Sequence, residues 1–207
     1  PVDEWQLDIV ASGSQKGYMI PPGLSFIAVS PKAWEAAEKS NLPKFYLNLK
    51  SYKKSLSSNS NPYTPAVNLV FALDEALKMM RDEGLDNIFL RHNKHKLAMS
   101  NAVKVLNLKL FADEKYLSPS VTAIKTEGMD AEQFRKTIKD KFDILLAGGQ
   151  DHLKGKIFRV GHLGYVNDRD IITIISAISN TLLSLGKISA QQAGEALVIA
   201  SKYIEGN

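Results

Sequence analysis

No cysteine occurs among the 207 residues. A disulfide, a thiol nucleophile, a cysteine-ligated zinc or an iron–sulfur cluster is therefore excluded on this chain. No glycine-rich dinucleotide fingerprint is present, and no phosphate-binding P-loop: Gly17 follows Lys16 where that motif needs Ser or Thr after Gly-Lys. Apolar runs stay below membrane-spanning length. The longest, Ile171 to Leu185, is interrupted by Thr173, Ser176, Ser179 and Asn180. Charge of one sign is scarce too, with 26 Lys and Arg against 22 Asp and Glu for a net +4. The densest basic runs, Lys50 to Lys54 and Arg91 to Lys96, are short, so nucleic acid is not the first expectation. What is present, 44% apolar and 23% charged residues, suits an ordinary globular chain with a real core. The first residues, Pro1-Val2, carry no initiator Met and no signal-type apolar region. The expectation is a soluble, cytoplasmic protein, of which this chain is a fragment.

Periodicity and turn chemistry outline the elements. Trp5 to Ala11 reads as a strand running into Ser12-Gly13-Ser14-Gln15-Lys16-Gly17, and Leu24 to Val29 as a second strand after a Pro21-Pro22-Gly23 turn. Ser30-Pro31 should start a helix through Lys39, an N-cap followed by proline at the first helical position. Leu49 to Pro62, polar and rich in Ser and Asn, reads as a loop. Thr64-Pro65 repeats the cap-and-proline signature and opens a helix from Ala66 to Asp82 with an apolar stripe of Val67, Val70, Leu73, Leu77 and Met80. Gly84 suits its end, and another helix follows over 86–107. Leu108 to Ala112, Val121 to Thr126, Ile144 to Ala147 and Ile157 to Gly161 read as strands. Asp130, with Gln133 as reciprocal partner, caps a helix to Lys141. Two helices close the chain, Asp168 to Leu185 and Ser189 to Ile204, the latter with a Ser189/Gln192 capping box. The pattern predicts an α/β fold in two parts, 1–90 and 91–207.

Chemistry concentrates around Lys16. Following a buried strand and surrounded by small residues, such an amine would lose hydration and become a nucleophile toward carbonyls. Small neighbours leave space for a flat ring, and hydroxyl, amide and backbone N–H donors could hold a phosphate. The bland alternative is a surface turn with a solvated lysine. Arg159 is the second candidate. Inside Ile157-Phe158-Arg159-Val160 it is either ion-paired or on the wet face of an edge strand, or else it is a planar receptor for a carboxylate. Thr64-Pro65 caps a helix, binds phosphate at that helix end, or does both. Gly148-Gly149 reads as a flexible turn. His92 and His95, among Arg91, Lys94 and Lys96, read as a solvated basic face rather than a metal site. Alternation puts His162 on the opposite face from Arg159.

Ser12-Gly13-Ser14-Gln15-Lys16 with Pro21-Pro22-Gly23 closely resembles the cofactor-lysine region of the class V aminotransferases, most nearly the alanine–glyoxylate and serine–glyoxylate members. The resemblance continues through Asn61-Pro62-Tyr63-Thr64-Pro65-Ala66, Leu73-Asp74-Glu75-Ala76-Leu77 and Phe158-Arg159-Val160-Gly161-His162-Leu163-Gly164, in consistent order over nearly the whole chain. It implies the C-terminal half of a fold type I enzyme: the rest of a large cofactor domain and a small α/β domain. It implies pyridoxal 5'-phosphate as cofactor, held as a Schiff base by Lys16, which then moves the substrate α proton. Gln15 is implied at the cofactor phosphate, and Ser14 is implied among the cofactor-binding residues. Thr64 is implied at the phosphate of a neighbouring subunit in a homodimer. Asn61 stands where relatives often carry a phosphate-binding tyrosine, with Tyr63 close by. Arg159 is implied at the substrate α-carboxylate. The acidic partner of the pyridinium nitrogen, the aromatic stacked on the ring and a Gly-rich turn fall upstream of this chain, because Asp8 is too close to Lys16 to be that acid. The N-terminal half of the subunit is therefore an implied partner, and the fragment alone should be inactive. The implied substrates are a small amino acid, alanine or serine, and a small 2-oxo acid such as glyoxylate. A second reading is a soluble hydrogenase (tritium-exchange) subunit, the label of similar cyanobacterial proteins, or a non-catalytic subunit that keeps the fold. The lack of cysteine argues against hydrogenase metal centres on this chain.

Overall fold

The computed structural model describes residues 1–206, which divide into two compact units, Pro1–Met79 and a second beginning at Met80. No helix among the described residues is long and apolar enough to cross a membrane.

In the first unit, β1 (Ile9–Gly13) and β2 (Ser25–Val29) form a two-stranded antiparallel ribbon, registered from Ile9 opposite Val29 to Gly13 opposite Ser25. Three helices follow, α1 (Pro31–Lys39), α2 (Leu49–Leu56) and α3 (Val67–Glu83), the last reaching into the second unit. Ser30 caps α1 by accepting from Ala33 N–H, with Pro31 at the start as read from the sequence. The elements of this unit depart from expectation at four places. Trp5 to Leu7 form a turn rather than the start of β1. The loop expected after Leu49 contains α2, capped by Asn48; its Lys50 pairs with Glu38 and its Lys53 lies over the Trp34 ring. Eight serine- and lysine-rich residues offer too short a period to reveal a helix, and partners on α1 hold it. Helix α3 begins at Val67, so Thr64 is exposed and does not cap it. Finally, the α3 stripe is not buried: Val67, Val70 and Leu77 are exposed, Leu73 and Met80 half-buried, and Ala76 is the buried residue. The cause is general to this unit, in which only Ser14, Ile20 and Ala76 are buried among the described residues.

The second unit has a proper core. Helix α4 (Leu85–Val105) leads into β3 (Lys109–Leu110), β4 (Val121–Lys125), α5 (Ala131–Phe142), β5 (Ala147–Gly148), β6 (Ile157–Gly161), α6 (Asp168–Ser184) and α7 (Ala190–Glu205). Its four-stranded antiparallel sheet has the order β3-β4-β6-β5, which makes β6 an inner strand. Ile124, Phe158 and Val160 on one face pack with Met99, Val103, Phe134, Ile138, Ile175, Ile178 and Leu182 from the helices. Local signals hold here. Both α6 and α7 start with capping boxes, Asn167/Asp170 and Ser189/Gln192. Asp130 caps α5 through Glu132 N–H, one position earlier than a Gln133 box requires. The strand expected over Ile144 to Ala147 is instead two residues, displaced toward the C-terminus, Ala147–Gly148, sharing only Ala147 with the expectation.

Candidate active site

The segment holding Lys16 is a closed turn. Ser14 N–H donates to Leu24 O, Ile20 N–H to Ser14 O and Met19 N–H to Lys16 O. The fully buried Ser14 hydroxyl donates to Pro21 O at 2.8 Å and accepts from Leu24 N–H at 3.2 Å, tying both ends of the excursion together. Its one proton is thereby given to the turn. Gly23, at φ 144°, lies against Leu69 in the first turn of α3, so the Pro-Pro-Gly corner is seated on that helix.

Lys16 itself is exposed, as is Gln15. The expectation of a lysine after a buried strand is corrected: among the described residues no third strand joins the β1–β2 ribbon, and every residue of β1 is exposed or half-buried. Among the described residues Lys16 has no acidic partner. Around Gly17 there is open space. Tyr63 is the hub of a ring cluster with Phe45, Tyr46 and Tyr52, and its hydroxyl donates to Phe45 O at 3.2 Å. Lys16, Gln15, Ser14, Tyr63 and Thr64 thus all belong to the first unit, and Arg159 to the second.

Arg159 is half-buried on the sheet face opposite the core, beside buried Phe158 and Val160 on the other face. Its directly paired neighbours are Ala123 on β4 and Ala147 on β5, so the side chain rises between two methyl groups. Phe111 lies beyond Ala123, its N–H donating to Ala123 O. Neither bland reading of Arg159 holds: β6 is not an edge strand, and no carboxylate pairs with Arg159 among the described residues. The one hydrogen bond of its side chain runs from Nε to Gly148 O at 2.9 Å. Gly148 and Gly149 are consequently not a loose turn; Gly148 is in β5 and Gly149 N–H donates to Ile157 O.

His162 lies opposite Arg159, as alternation requires, and is fully buried. Its Nδ1 donates to Pro119 O at 3.0 Å and its Nε2 accepts from the Thr122 hydroxyl at 2.9 Å. Burial, more than any neighbouring charge, pushes its pKa down to about 4. His92 and His95 are also buried, which corrects the expectation of a solvated basic face. His92 donates from Nδ1 to Ile88 O (2.7 Å) and accepts at Nε2 from Gly164 N–H (3.1 Å), one neutral tautomer serving both bonds. His95 Nε2 meets Asp168 Oδ1 at 2.8 Å while its Nδ1 is buried without a partner; burial lowers its pKa against the opposing pull of Asp168. Next to them Arg91 pairs with Glu83 and donates to Gly164 O and Val166 O. These groups fasten the segment between β6 and α6. Sequence spacing does not reveal this clamp, since His92 and Gly164 are 72 residues apart. Among the described residues no group of three or more His, Cys, Asp or Glu side chains converges as metal ligands.

The family described as "Aminotransferase class-V" matches residues 1–165. The chain is 56% identical over 186 residues to a Synechococcus protein named "Soluble hydrogenase, small subunit", covering 90% of this chain and 48% of that one. It is 35% identical over 213 residues to serine–glyoxylate aminotransferase from Methylorubrum extorquens, covering 99% and 52%. Ureidoglycine–glyoxylate aminotransferase from Bacillus subtilis superposes with a TM-score of 0.89 at 28% identity, over 97% of this chain and 54% of that one. The chain thus spans about half the length of the curated relatives it matches. Its α/β architecture is that of part of these enzymes, and the chain belongs to the class-V aminotransferase family, whose cofactor is pyridoxal 5'-phosphate.

Proposed function

We propose that this chain is the part of a pyridoxal-phosphate-dependent aminotransferase that supplies the cofactor lysine, Lys16, and the substrate carboxylate receptor, Arg159, for transfer of an amino group from alanine or serine to a small 2-oxo acid such as glyoxylate. The observation that carries the reading is Arg159: a half-buried guanidinium on an inner strand, flanked by two alanines and without an acidic partner among the described residues. A half-buried guanidinium without a countercharge is desolvated at some cost, smaller than for a fully buried ion, and a substrate carboxylate would offset it.

The residues at Lys16 suit the cofactor. The amine has no competing carboxylate among the described residues, an added Cβ at the exposed neighbour Gly17 would meet nothing within 4 Å, and the Ser14 bonds hold the backbone that presents the amine. Gln15 offers amide N–H groups and Thr64 an exposed hydroxyl toward a phosphate, Thr64 serving the neighbouring subunit of a homodimer, with Tyr63 next in sequence and stacked on Tyr46. When bound, pyridoxal phosphate supplies a ring that stabilises negative charge at the substrate α carbon. Lys16 Nζ would take the proton from that carbon as general base and, as general acid, donate it to the cofactor rather than back to the same carbon. Arg159 would receive the substrate carboxylate through its guanidinium, a planar donor suited to two parallel hydrogen bonds. The apolar surface of residues 1–79, including Trp5, Ile9 and Phe71, is exposed here; polypeptide corresponding to the other half of the relatives is proposed to cover it.

The test is reduction of the natural protein, loaded with pyridoxal phosphate, by borohydride, followed by peptide mapping. Label at Lys16 is expected, and label at another lysine overturns the assignment. Loss of visible absorbance on adding each amino acid in turn then identifies the donor. A second reading, a subunit of a soluble hydrogenase, is favoured by the name of the 56%-identical relative. Stoichiometric nickel or iron in the natural protein would support it.

A further inference from the structure

Arg159 is not free to aim its guanidinium at will. Its Nε–H is bonded to Gly148 O at 2.9 Å, which leaves the four N–H groups on Nη1 and Nη2 as the donors for a ligand. With Nε engaged, a carboxylate can approach only end-on, through both Nη atoms. The side-on mode through Nε and one Nη is closed.

The carbonyl that sets this geometry is itself braced. Strand β5 is an edge strand of two residues and has little pairing of its own. Helix α5 places Arg135 and Glu132 against it: Arg135 Nε donates to Leu146 O at 2.8 Å, and Arg135 Nη1 pairs with Glu132 at 2.7 Å. The two carbonyls held by arginines, Leu146 and Gly148, are two residues apart, one taken by a helix side chain and the other by Arg159. The ion pair lies so close to Gly148 that a Cβ there would sit 2.6 Å from Arg135 Nη1 and 2.8 Å from Glu132 Oε1. A side chain at position 148 would displace either the ion pair or the strand. Either displacement moves the acceptor that orients Arg159.

We propose that Gly148, braced by Arg135 and Glu132, is the positioning element that fixes the plane of the Arg159 guanidinium and so sets the affinity of the enzyme for carboxylate-bearing substrates. This rests on the reading of Arg159 as the carboxylate receptor. The brace acts on the carboxylate alone and leaves the chemistry at Lys16 unaltered.

The test uses the natural protein loaded with pyridoxal phosphate, with propionate as a carboxylate probe, alanine as substrate, and ethylamine as an amine of similar size without the carboxylate. Gly148→Ala and Arg135→Leu should each raise the propionate Kd and the alanine KM about tenfold, the order expected for one misdirected charge-assisted hydrogen bond. The kcat for alanine and the reaction with ethylamine should stay within about twofold, the mark of lost ground-state binding. Arg135→Lys, which keeps a donor for Leu146 and a charge for Glu132, should recover part of the affinity. Should Gly148→Ala fail to fold, Arg135→Leu decides. Unchanged propionate affinity in the folded variants, or an equal loss with ethylamine, overturns the proposal. Arg159→Ala separates the two levels: if it weakens propionate while the brace variants do not, the brace alone is wrong. If it too leaves propionate unchanged, the reading of Arg159 falls and the brace with it.

Discussion

Arg91 grips Glu83 with two parallel hydrogen bonds, Nε to Oε1 at 2.6 Å and Nη2 to Oε2 at 2.9 Å, and turns its remaining nitrogen, Nη1, to Gly164 O and Val166 O. One guanidinium thereby joins the end of α3, the start of α4 and the segment leaving β6. Arg91→Ala leaves two backbone carbonyls and a carboxylate without their donor. The expected cost is about 1–3 kcal/mol in urea unfolding, allowing for partial exposure of the pair. Arg91→Lys should recover less than half, because an ammonium cannot serve acceptors arranged around a planar fork. Equal stability of the Lys variant and the parent would contradict this account.

Acid should destabilise the second unit before the carboxylates titrate. His162 binds a proton in the unfolded chain near its ordinary value of 6.5, but in the folded chain only near about 4. Between those values the unfolded state holds more protons, so stability falls as pH falls, by a total of about 3 kcal/mol for this one residue. The lowered pKa of His95 acts in the same direction. Glu83, held below its ordinary 4.5 by Arg91, contributes stability that is lost only at still lower pH. The thermal midpoint should therefore drop from pH 7 to pH 5. His162→Asn, weaker at neutral pH, should show a flatter profile over that interval, and a parallel profile would remove His162 as the cause.

Gly23→Ala should destabilise the Lys16 turn. The backbone there has φ 144°, and an added Cβ meets the Leu69 side chain. A penalty of about 1–3 kcal/mol is expected from the strained backbone together with the displaced leucine. Faster amide exchange at the turn bonds of Ser14 and Ile20 is the measurement, since those bonds close the excursion.

Lys16→Arg keeps the charge but not an amine able to condense with an aldehyde. The natural protein with this change should lose the visible absorbance of bound cofactor and all turnover, while its far-ultraviolet circular dichroism is preserved. Retained absorbance that resists dialysis would show that another lysine carries the cofactor.

The boundaries of α1, α6, α7 and β6 were legible in the sequence because their causes are local. Ser30, Asn167 and Ser189 each satisfy N–H groups within three residues, and the Ile157–Gly161 run contains no breaker before its glycine. The opposite faces of Arg159 and His162 followed from the two-residue period of a strand alone. Helix α2 was hidden because its support, Glu38 and Trp34, lies on a different helix.

Residue chemistry along the chain offered Lys16 and Arg159 as candidates beside bland alternatives, their roles being implied by the family resemblance, and it excluded cysteine chemistry on this chain because that depends on identity alone. Burial, partnership and orientation were decided by the tertiary structure. His92, His95 and Arg91 read as a charged surface until residues more than 70 positions away supplied their acceptors and donors. Ser14, read as a ligand, became a turn clasp when Pro21 and Leu24 came within hydrogen-bond distance. Hydrogen-bond partners and desolvation are set by whatever atoms the fold brings within a few ångströms, and neighbours in sequence carry no record of atoms that arrive from another element.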